Sequence, residues 1–328
     1  MSLHYPESKQ ILEKIKGAQR IVLNVHRKPD PDTVGSSLAL SYYIQSLGKE
    51  TTLVCPNKIG EEYGFLKQAT KIKTVSLSTF DFSPYDLFII LDSSSWHMVA
   101  DSHNFTPPSL PTIIIDHHKT NNLEVEIKLL DIKAPAVGEI VYNLLKDIGA
   151  DIDADTATAL FTAIAGDTVY FKHTPHPAQT FEIATKLLEK GARQDLYIQY
   201  MTSNHPLSFI KCLGKMLEHM EYDAEHKFVY AAMPFEEYET YGKPSGVKDA
   251  VANEFLQAVK DAEFGVAILE GEKDRLFVSL RSKGKVDVST IALHFGGGGH
   301  KVAAGFSIKG EFMHSVEKIL SHIRTYNS

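Results

Sequence analysis

Ile21-Val22-Leu23-Asn24-Val25-His26-Arg27-Lys28-Pro29-Asp30-Pro31-Asp32 is the stretch on which the fold turns. Four of its opening five residues are apolar, Asn24 being the exception, with no strict in-out alternation, as in a strand covered on both faces of a parallel sheet. The run stops at a histidine and is followed by two aspartates. Two later runs end in the same way. Leu87-Phe88-Ile89-Ile90-Leu91 leads into Asp92, and Thr112-Ile113-Ile114-Ile115 into Asp116-His117-His118. Thr51-Thr52-Leu53-Val54-Cys55 is a fourth strand of this kind. Helical segments alternate with these runs: residues 36–47, closed by Gly48, and residues 138–147, ending near Gly149. A further helix starts at Asp153 or Asp155 and carries Ala159, Leu160, Ala163 and Ile164 at helical spacing. The alternation predicts an α/β domain with a doubly wound, mostly parallel sheet over residues 1–190.

From residue 181 the strand pattern gives way to helical periodicity, through Leu187, Leu188, Phe209, Ile210, Leu213, Met216, Leu217 and Met220. Residues 191–222 are expected to form a helical connector. A smaller α+β domain is expected over 223–328, with strands at 228–232, 265–269, 276–280 and 304–308. Glu270-Gly271-Glu272-Lys273 turns the second of these into the third. A helix near 289–295, the run Gly296-Gly297-Gly298-Gly299 and a terminal helix complete it.

Composition narrows the function. The 328 residues are 43% apolar and carry a formal net charge of −7, so the chain offers no general basic surface for long duplex nucleic acid. No apolar run reaches the roughly 18 residues of a membrane span, and the first residues lack an export pattern. Two isolated cysteines, Cys55 and Cys212, argue against a disulfide framework or a zinc–thiolate site. A cytoplasmic location is expected.

The strand ends carry the chemistry. In an open parallel sheet, ligands bind at the carboxyl ends of the strands. With Asp167, which follows the helix containing Leu160, the candidates His26, Asp30, Asp32, Asp92, His117 and Asp167 converge from four regions of sequence. Crowded carboxylates without lysine or arginine stay ionised only if cations neutralise them. Two divalent ions balance four aspartates, and a mixed His/Asp shell suits Mn²⁺ or Fe²⁺ better than Mg²⁺. Asp151-Ile152-Asp153-Ala154-Asp155 imitates the start of a calcium loop, but Thr156 and Thr162 stand where glycine and glutamate are required, so a helix cap is expected instead. Of the remaining histidines, His173 and His176 follow Asp167 closely and are the ones to watch for substrate contact.

These residues resemble the DHH phosphoesterase superfamily. His26-x3-Asp30-x-Asp32-x2-Gly35-Ser36 is similar to its first motif, Asp92 to its second, Asp116-His117-His118 to its third and Gly166-Asp167-Thr168 to its fourth. Gly296-Gly297-Gly298-Gly299-His300-x2-Ala303-Ala304-Gly305 resembles the hallmark of the DHH-associated C-terminal domain. Chain length and domain pair look most like the nano-RNase/nucleoside 3′,5′-bisphosphate phosphatase group. The resemblance implies one metal ion on His26, Asp30 and Asp92 and a second on Asp32, Asp92, His117 and Asp167, with Asp92 bridging. It implies two Mn²⁺, with Fe²⁺, Co²⁺ or Mg²⁺ as substitutes, a supporting role for Asp116, and His118 contacting the scissile phosphate. Three positions depart from the pattern: Pro31 replaces a common glycine, Gly166 a usual threonine and Val169 a frequent glycine. Phe171-Lys172 stands where an aromatic–arginine pair is typical.

Between residues 273 and 301 the C-terminal domain has six basic residues against Asp274 and Asp287. Successive glycines can turn backbone N–H groups towards an anion, and arginine can bind phosphate bidentately. The resemblance implies that Arg281, Ser282, Gly297, Gly298, Gly299 and His300 contact the substrate phosphate. The expected activity is a Mn²⁺-dependent phosphoesterase that hydrolyses short oligonucleotides or nucleoside 3′,5′-bisphosphates, acting as a homodimer. Dinucleotide phosphodiesterase and exopolyphosphatase or pyrophosphatase activities are the enzymatic alternatives. A nucleotide-binding protein that no longer turns over is the non-enzymatic one.

Overall fold

The computed structural model describes residues 4–326, and its contacts divide the chain into two units, 1–204 and 205–328. In the first unit, six strands form one parallel sheet: β1 (Arg20–Asn24), β2 (Glu50–Cys55), β3 (Lys73–Thr74), β4 (Leu87–Leu91), β5 (Thr112–Asp116) and β6 (Ile127–Leu130). Their order is β3-β2-β1-β4-β5-β6, and every neighbouring pair is parallel. The strands are apolar on both faces because both are covered. Leu23, Ile89, Ile113 and Ile115 enter one core, while Val22, Phe88, Ile90 and Ile114 enter another on the opposite face.

The helices of this unit are α1 (Ser8–Gly17), α2 (Pro31–Ser46), α3 (Trp96–Ala100), α4 (Val137–Asp147), α5 (Ala154–Asp167), α6 (Pro177–Glu189) and α7 (Gln194–Tyr197). Helix α2 begins five residues before the apolar periodicity does. Asp30 caps it by accepting the Thr33 N–H at 3.0 Å, and Pro31 takes the first helical position, where its missing N–H costs nothing. Asp153 caps α5 by accepting the Thr156 N–H at 2.8 Å, the role expected in place of calcium ligation. Helices α2 and α5 run in close contact. A Cβ on Gly35 would lie 2.3 Å from the Ala159 carbonyl oxygen, so only glycine permits that approach.

The second unit contains α8 (Leu207–Glu218), α9 (Phe235–Thr240), α10 (Val247–Ala250), α11 (Val288–His294) and α12 (Phe312–Tyr326). Its strands are β7 (Met220–Asp223), β8 (Phe228–Met233), β9 (Phe264–Glu272), β10 (Arg275–Ser282), β11 (Gly298–His300) and β12 (Ala303–Lys309), in the order β11-β12-β10-β9-β8-β7. Only β8 and β9 pair in parallel. One face packs on α11 and α12 through Leu276, Val278, Leu280, Ala304 and Phe306, and the other on α8 and α10 through Val229, Ala231, Ala267 and Leu269. The stretch read as a connector is divided: α7 belongs to the first unit, whereas α8 sends Phe209, Cys212 and Met216 into a core of the second. Several short elements escaped the sequence reading, among them β3, α3, α9, α10 and β11, and so did α1, β6 and β7. Helix α1 precedes the first strand, β6 is an edge strand of only four residues, and β7 is a mostly exposed edge strand that reads as the tail of α8.

Candidate metal centre

Strand order in the first sheet reverses at β1, which is flanked by β2 and β4. Crossovers leaving β1 and β4 therefore depart to opposite sides and open a crevice at their carboxyl ends. His26 lies just beyond β1 and Asp92 just beyond β4, so both face it. Helix α2 contributes Asp30 from its N-cap and Asp32 from its first turn, β5 ends in Asp116 and passes directly to His117, and α5 ends at Asp167.

Asp92 is the hub. One carboxylate oxygen lies 3.2 Å from His26 Nε2, and the other lies 3.6 Å from His117 Nε2 and 3.8 Å from His118 Nδ1. Its backbone is left-handed, with φ of 53°, which aspartate tolerates better than most residues and which turns the side chain from the strand into the crevice. His26 Nε2 also lies 3.4 Å from Asp30, and His117 Nε2 lies 3.3 Å from Asp167. The ligand atoms of His26, Asp30 and Asp92 fall within 4.8 Å of one another, as do those of Asp32, His117 and Asp167. Both imidazoles are oriented from behind: Nδ1 of His26 meets the Arg27 carbonyl at 2.7 Å, and Nδ1 of His117 meets the Ala134 carbonyl at 3.1 Å. Each Nε2 is thereby aimed into the cluster, as in metal-bound histidines.

The electrostatics call for cations. Burial raises the pKa of Asp32 well above the carboxylate range, and Asp92, Asp167 and Asp30 raise it further. This happens although Asp32 accepts the Val137 and Gly138 N–H groups, at 2.6 and 2.8 Å, at the start of α4. Asp167 is raised for the same reasons, by burial and then by Asp30 and Asp92. Burial opposes charge on His26, but Asp30 and Asp92 outweigh it and lift its pKa well above the usual imidazole range. Four carboxylates and two imidazoles gather here as hard, mixed O/N donors, with Asp92 grouping both with His26 and Asp30 and with His117 and His118, and they fit metal binding.

A model of the DHH family N-terminal domain matches residues 20–164, and one of the DHHA1 domain matches residues 226–327. The chain belongs to the DHH family. It is 27% identical, over 96% of its length and 92% of the relative's, to the bifunctional oligoribonuclease and PAP phosphatase NrnA of Thermus thermophilus. Its fold is that of an exopolyphosphatase-related protein from Bacteroides fragilis, with a TM-score of 0.91, 22% identity and coverage of 98% of this chain and 96% of that one. RecJ of Thermus thermophilus in complex with Mn²⁺ aligns with a TM-score of 0.54 and 15% identity, over 98% of this chain and 54% of that one. The chain is thus a DHH-family metal-dependent phosphoesterase.

Within the DHH domain, all six candidate ligands come together. Asp116 stands behind them, fully buried, accepting from Asn121 Nδ2 at 2.8 Å and meeting His118 Nδ1 at 2.7 Å. Burial works against charge on His118, but Asp116 overrides it and raises the imidazole pKa. Asn121, the Ala134 carbonyl and the two N–H groups holding Asp32 were not found from sequence. Backbone groups carry no residue signature, and an asparagine in a polar loop looks like any turn residue. His176 directly precedes α6 and lines a cavity of about 190 Å³ with His4, Asp131 and Glu139; neither it nor His173 joins the ligand sets.

Two of the departures from the DHH pattern meet in space. A Cβ on Gly166 would lie 2.4 Å from Pro31 Cβ, so the proline in α2 and the glycine in α5 are one compensating pair. The third is strained: Val169 has φ of 48°, followed by Tyr170 at 54° and Phe171 at 66°. A left-handed turn thus follows Asp167, and it begins at the position where the family often has glycine.

In the DHHA1 domain, the glycine run is not simply a loop. Gly298 to His300 form the edge strand β11 on β12, and Gly297 is required because a Cβ there would sit 2.2 Å from the Gly305 carbonyl oxygen. Arg281 and Ser282 are consecutive on β10 and so point to opposite faces. Ser282 is buried and accepts the Gly284 N–H at 3.0 Å, while Arg281 Nε donates to Asn253 at 2.6 Å.

Proposed function

We propose that the chain is a Mn²⁺-dependent phosphoesterase that hydrolyses short oligonucleotides and nucleoside 3′,5′-bisphosphates. The observation that carries this reading is the pair of ligand sets around Asp92, each with one imidazole and carboxylates from separate elements. His26, Asp30 and Asp92 hold one ion, and Asp32, His117 and Asp167, with Asp92 between, hold the other. When bound, such a pair supplies a water of lowered pKa and positive charge for the phosphoryl oxygens.

The rest falls to protein groups. Asp116 pins Nδ1 of His118, which fixes the ring and keeps it protonated to higher pH; His118 stabilises charge on the phosphate or gives a proton to the leaving oxygen. In the DHHA1 domain, Arg281, His300 and the segment 297–299 contribute contacts to the substrate's phosphate. The substrate class is supported by likeness to a relative named for oligoribonuclease and PAP phosphatase activity.

Phosphate or nucleotide release by purified protein with Mn²⁺ tests the proposal, using adenosine 3′,5′-bisphosphate, 5′-pApA, a cyclic dinucleotide and pyrophosphate in parallel. Turnover of the first two at the highest kcat/KM is expected. Preference for pyrophosphate, or release from none of the four, would overturn it.

A further inference from the structure

The set of Asp32, His117 and Asp167 has a support of its own. One short segment between β6 and α4 holds two of its three members. The Ala134 carbonyl meets Nδ1 of His117 at 3.1 Å, and the Val137 and Gly138 N–H groups donate to Asp32 at 2.6 and 2.8 Å. His26 and Asp30 of the other set are supported elsewhere, by the Arg27 carbonyl and the Thr33 N–H. Asp131 opens the segment and shapes it. Its N–H donates to the Asp116 carbonyl at 3.0 Å, adding one rung beyond the β5–β6 pairing. Its own carbonyl accepts the Ala134 N–H at 3.1 Å, and its Oδ1 accepts the Lys133 N–H at 3.0 Å. Residues 131–134 are thus a β-turn closed by an aspartate at its first position, bonded to its own backbone two residues on. That turn places the Ala134 carbonyl behind His117.

Packing alone does not hold the turn. Asp131, Lys133 and Ala134 line the cavity of about 190 Å³, so one side of the turn faces open space. The remaining oxygen of Asp131 accepts the Tyr5 hydroxyl at 3.0 Å. Tyr5 is buried in the main core of the DHH domain, and burial, followed by Asp131, raises its phenol pKa, so the hydroxyl stays a donor. The backbone of Tyr5 is fixed independently. Asp147, the last residue of α4, accepts the His4 and Tyr5 N–H groups at 2.6 and 2.8 Å and the Ser8 hydroxyl at 2.7 Å. The stretch leading into α1 is therefore clamped to the end of α4, and from it Tyr5 reaches the turn that precedes the start of the same helix.

We propose that Asp131 and Tyr5 are positioning residues for the metal ion held by Asp32, His117 and Asp167, and not for the other ion. Neither belongs to a ligand set. They act in sequence: the Tyr5 hydroxyl fixes the Asp131 carboxylate, the carboxylate fixes the turn, and the turn fixes the Ala134 carbonyl against His117. A carbonyl can only accept, so it keeps the proton on Nδ1 and leaves the Nε2 lone pair for a metal, at a set ring angle. A slack turn lets that carbonyl drift and the ring with it, while His26 and Asp30 keep their own supports. This inference rests on the reading that the site holds two ions, and its test lets the two fail separately.

The test is calorimetric titration of the full-length, metal-free protein with Mn²⁺, with melting temperatures taken on the same samples. The wild type should bind two ions. Asp131→Ala should weaken one of the two steps about 10–100-fold, the scale on which groups that orient a metal-bound histidine act, and leave the other within about twofold. Tyr5→Phe keeps the ring and removes only the hydroxyl, and it should weaken the same step roughly 3–10-fold, the scale of one hydrogen bond. Asp131→Asn, which can still close the turn, should restore most of the affinity lost in Asp131→Ala. Ser8→Ala loosens the same stretch at Asp147 without touching the turn, so it should lower the melting temperature and leave both steps unchanged. Positioning is overturned if Asp131→Ala and Tyr5→Phe behave like Ser8→Ala, or if they weaken both steps alike. In a His117→Ala background, Asp131→Ala should leave the remaining step unaltered; further weakening there also overturns it. Should Asp131→Ala fail to fold, Tyr5→Phe decides by the same criterion. A wild type that binds fewer than two ions rejects the two-ion reading and this inference with it, whereas two bound ions that ignore both variants reject the inference only.

Discussion

Asp92 shows how much one residue can be asked to do. It closes a central strand, takes a left-handed backbone and divides its two oxygens between His26 on one side and His117 and His118 on the other. Asp92→Ala should therefore lose both metal ions together, by elemental analysis, and at least ~10³-fold in kcat; retention of either would separate the two ligand sets. Asn121→Ala acts at one remove. It frees one oxygen of Asp116, loosens the ring of His118 and should lower kcat about 10–100-fold with metal content unchanged. At this scale the chemistry-bearing side chains were legible, because aspartate and histidine at strand ends are unusual in combination. The groups that aim them were not: the Ala134 carbonyl and the Val137 and Gly138 N–H groups acquire meaning only from position.

Elements meet where glycine allows it. Pro31 and Gly166 stood in the sequence as two unrelated departures, 135 positions apart, and they are a single contact between the start of α2 and the end of α5. Gly166→Thr should cost about 1–3 kcal/mol by crowding Pro31, measured by denaturant unfolding. Adding Pro31→Gly should recover much of that, with a coupling of roughly 0.5–3 kcal/mol; strict additivity would show that the contact is not shared. Val169 is the converse case, a β-branched residue held at positive φ directly after the Asp167–Thr168 end of α5. Val169→Gly should stabilise the protein by about 1 kcal/mol, and loss of stability would mean that its side-chain packing outweighs the strain.

Across the whole molecule, the acid cluster sets a conflict between folding and function. Burial and neighbouring carboxylates raise the pKa of Asp167 in the folded state. A carboxyl group with a raised folded pKa binds its proton more tightly when folded. Its stabilising contribution is therefore complete below the unfolded value of about 3.9 and disappears as pH rises through the folded one. Asp167→Asn should consequently stabilise the metal-free protein relative to wild type, increasingly as pH is raised from 4 to 8 in scanning calorimetry. The same variant should lose most of the stabilisation by Mn²⁺, which for a single site is about 2.7 kcal/mol at a hundredfold excess over Kd. A stability difference that shrinks with rising pH would contradict the assignment.

The sequence by itself determined the layers. Apolar, β-branched runs that stop at aspartate or histidine read as covered strands with polar carboxyl ends, so the parallel sheet and six candidate ligands were readable residue by residue. Edge strands β6 and β7 were not, because they are short and their alternation is weak. Tertiary structure alone decided which carboxyl ends share a crevice, since strand order is set by crossover geometry and not by any local pattern. It also separated Arg281 from Ser282 on β10 and brought Asn253 to Arg281 across 28 positions of chain. The physical reason is one of range. Propensity and periodicity act over a few residues, whereas a site is made by groups that become neighbours only after the chain has packed.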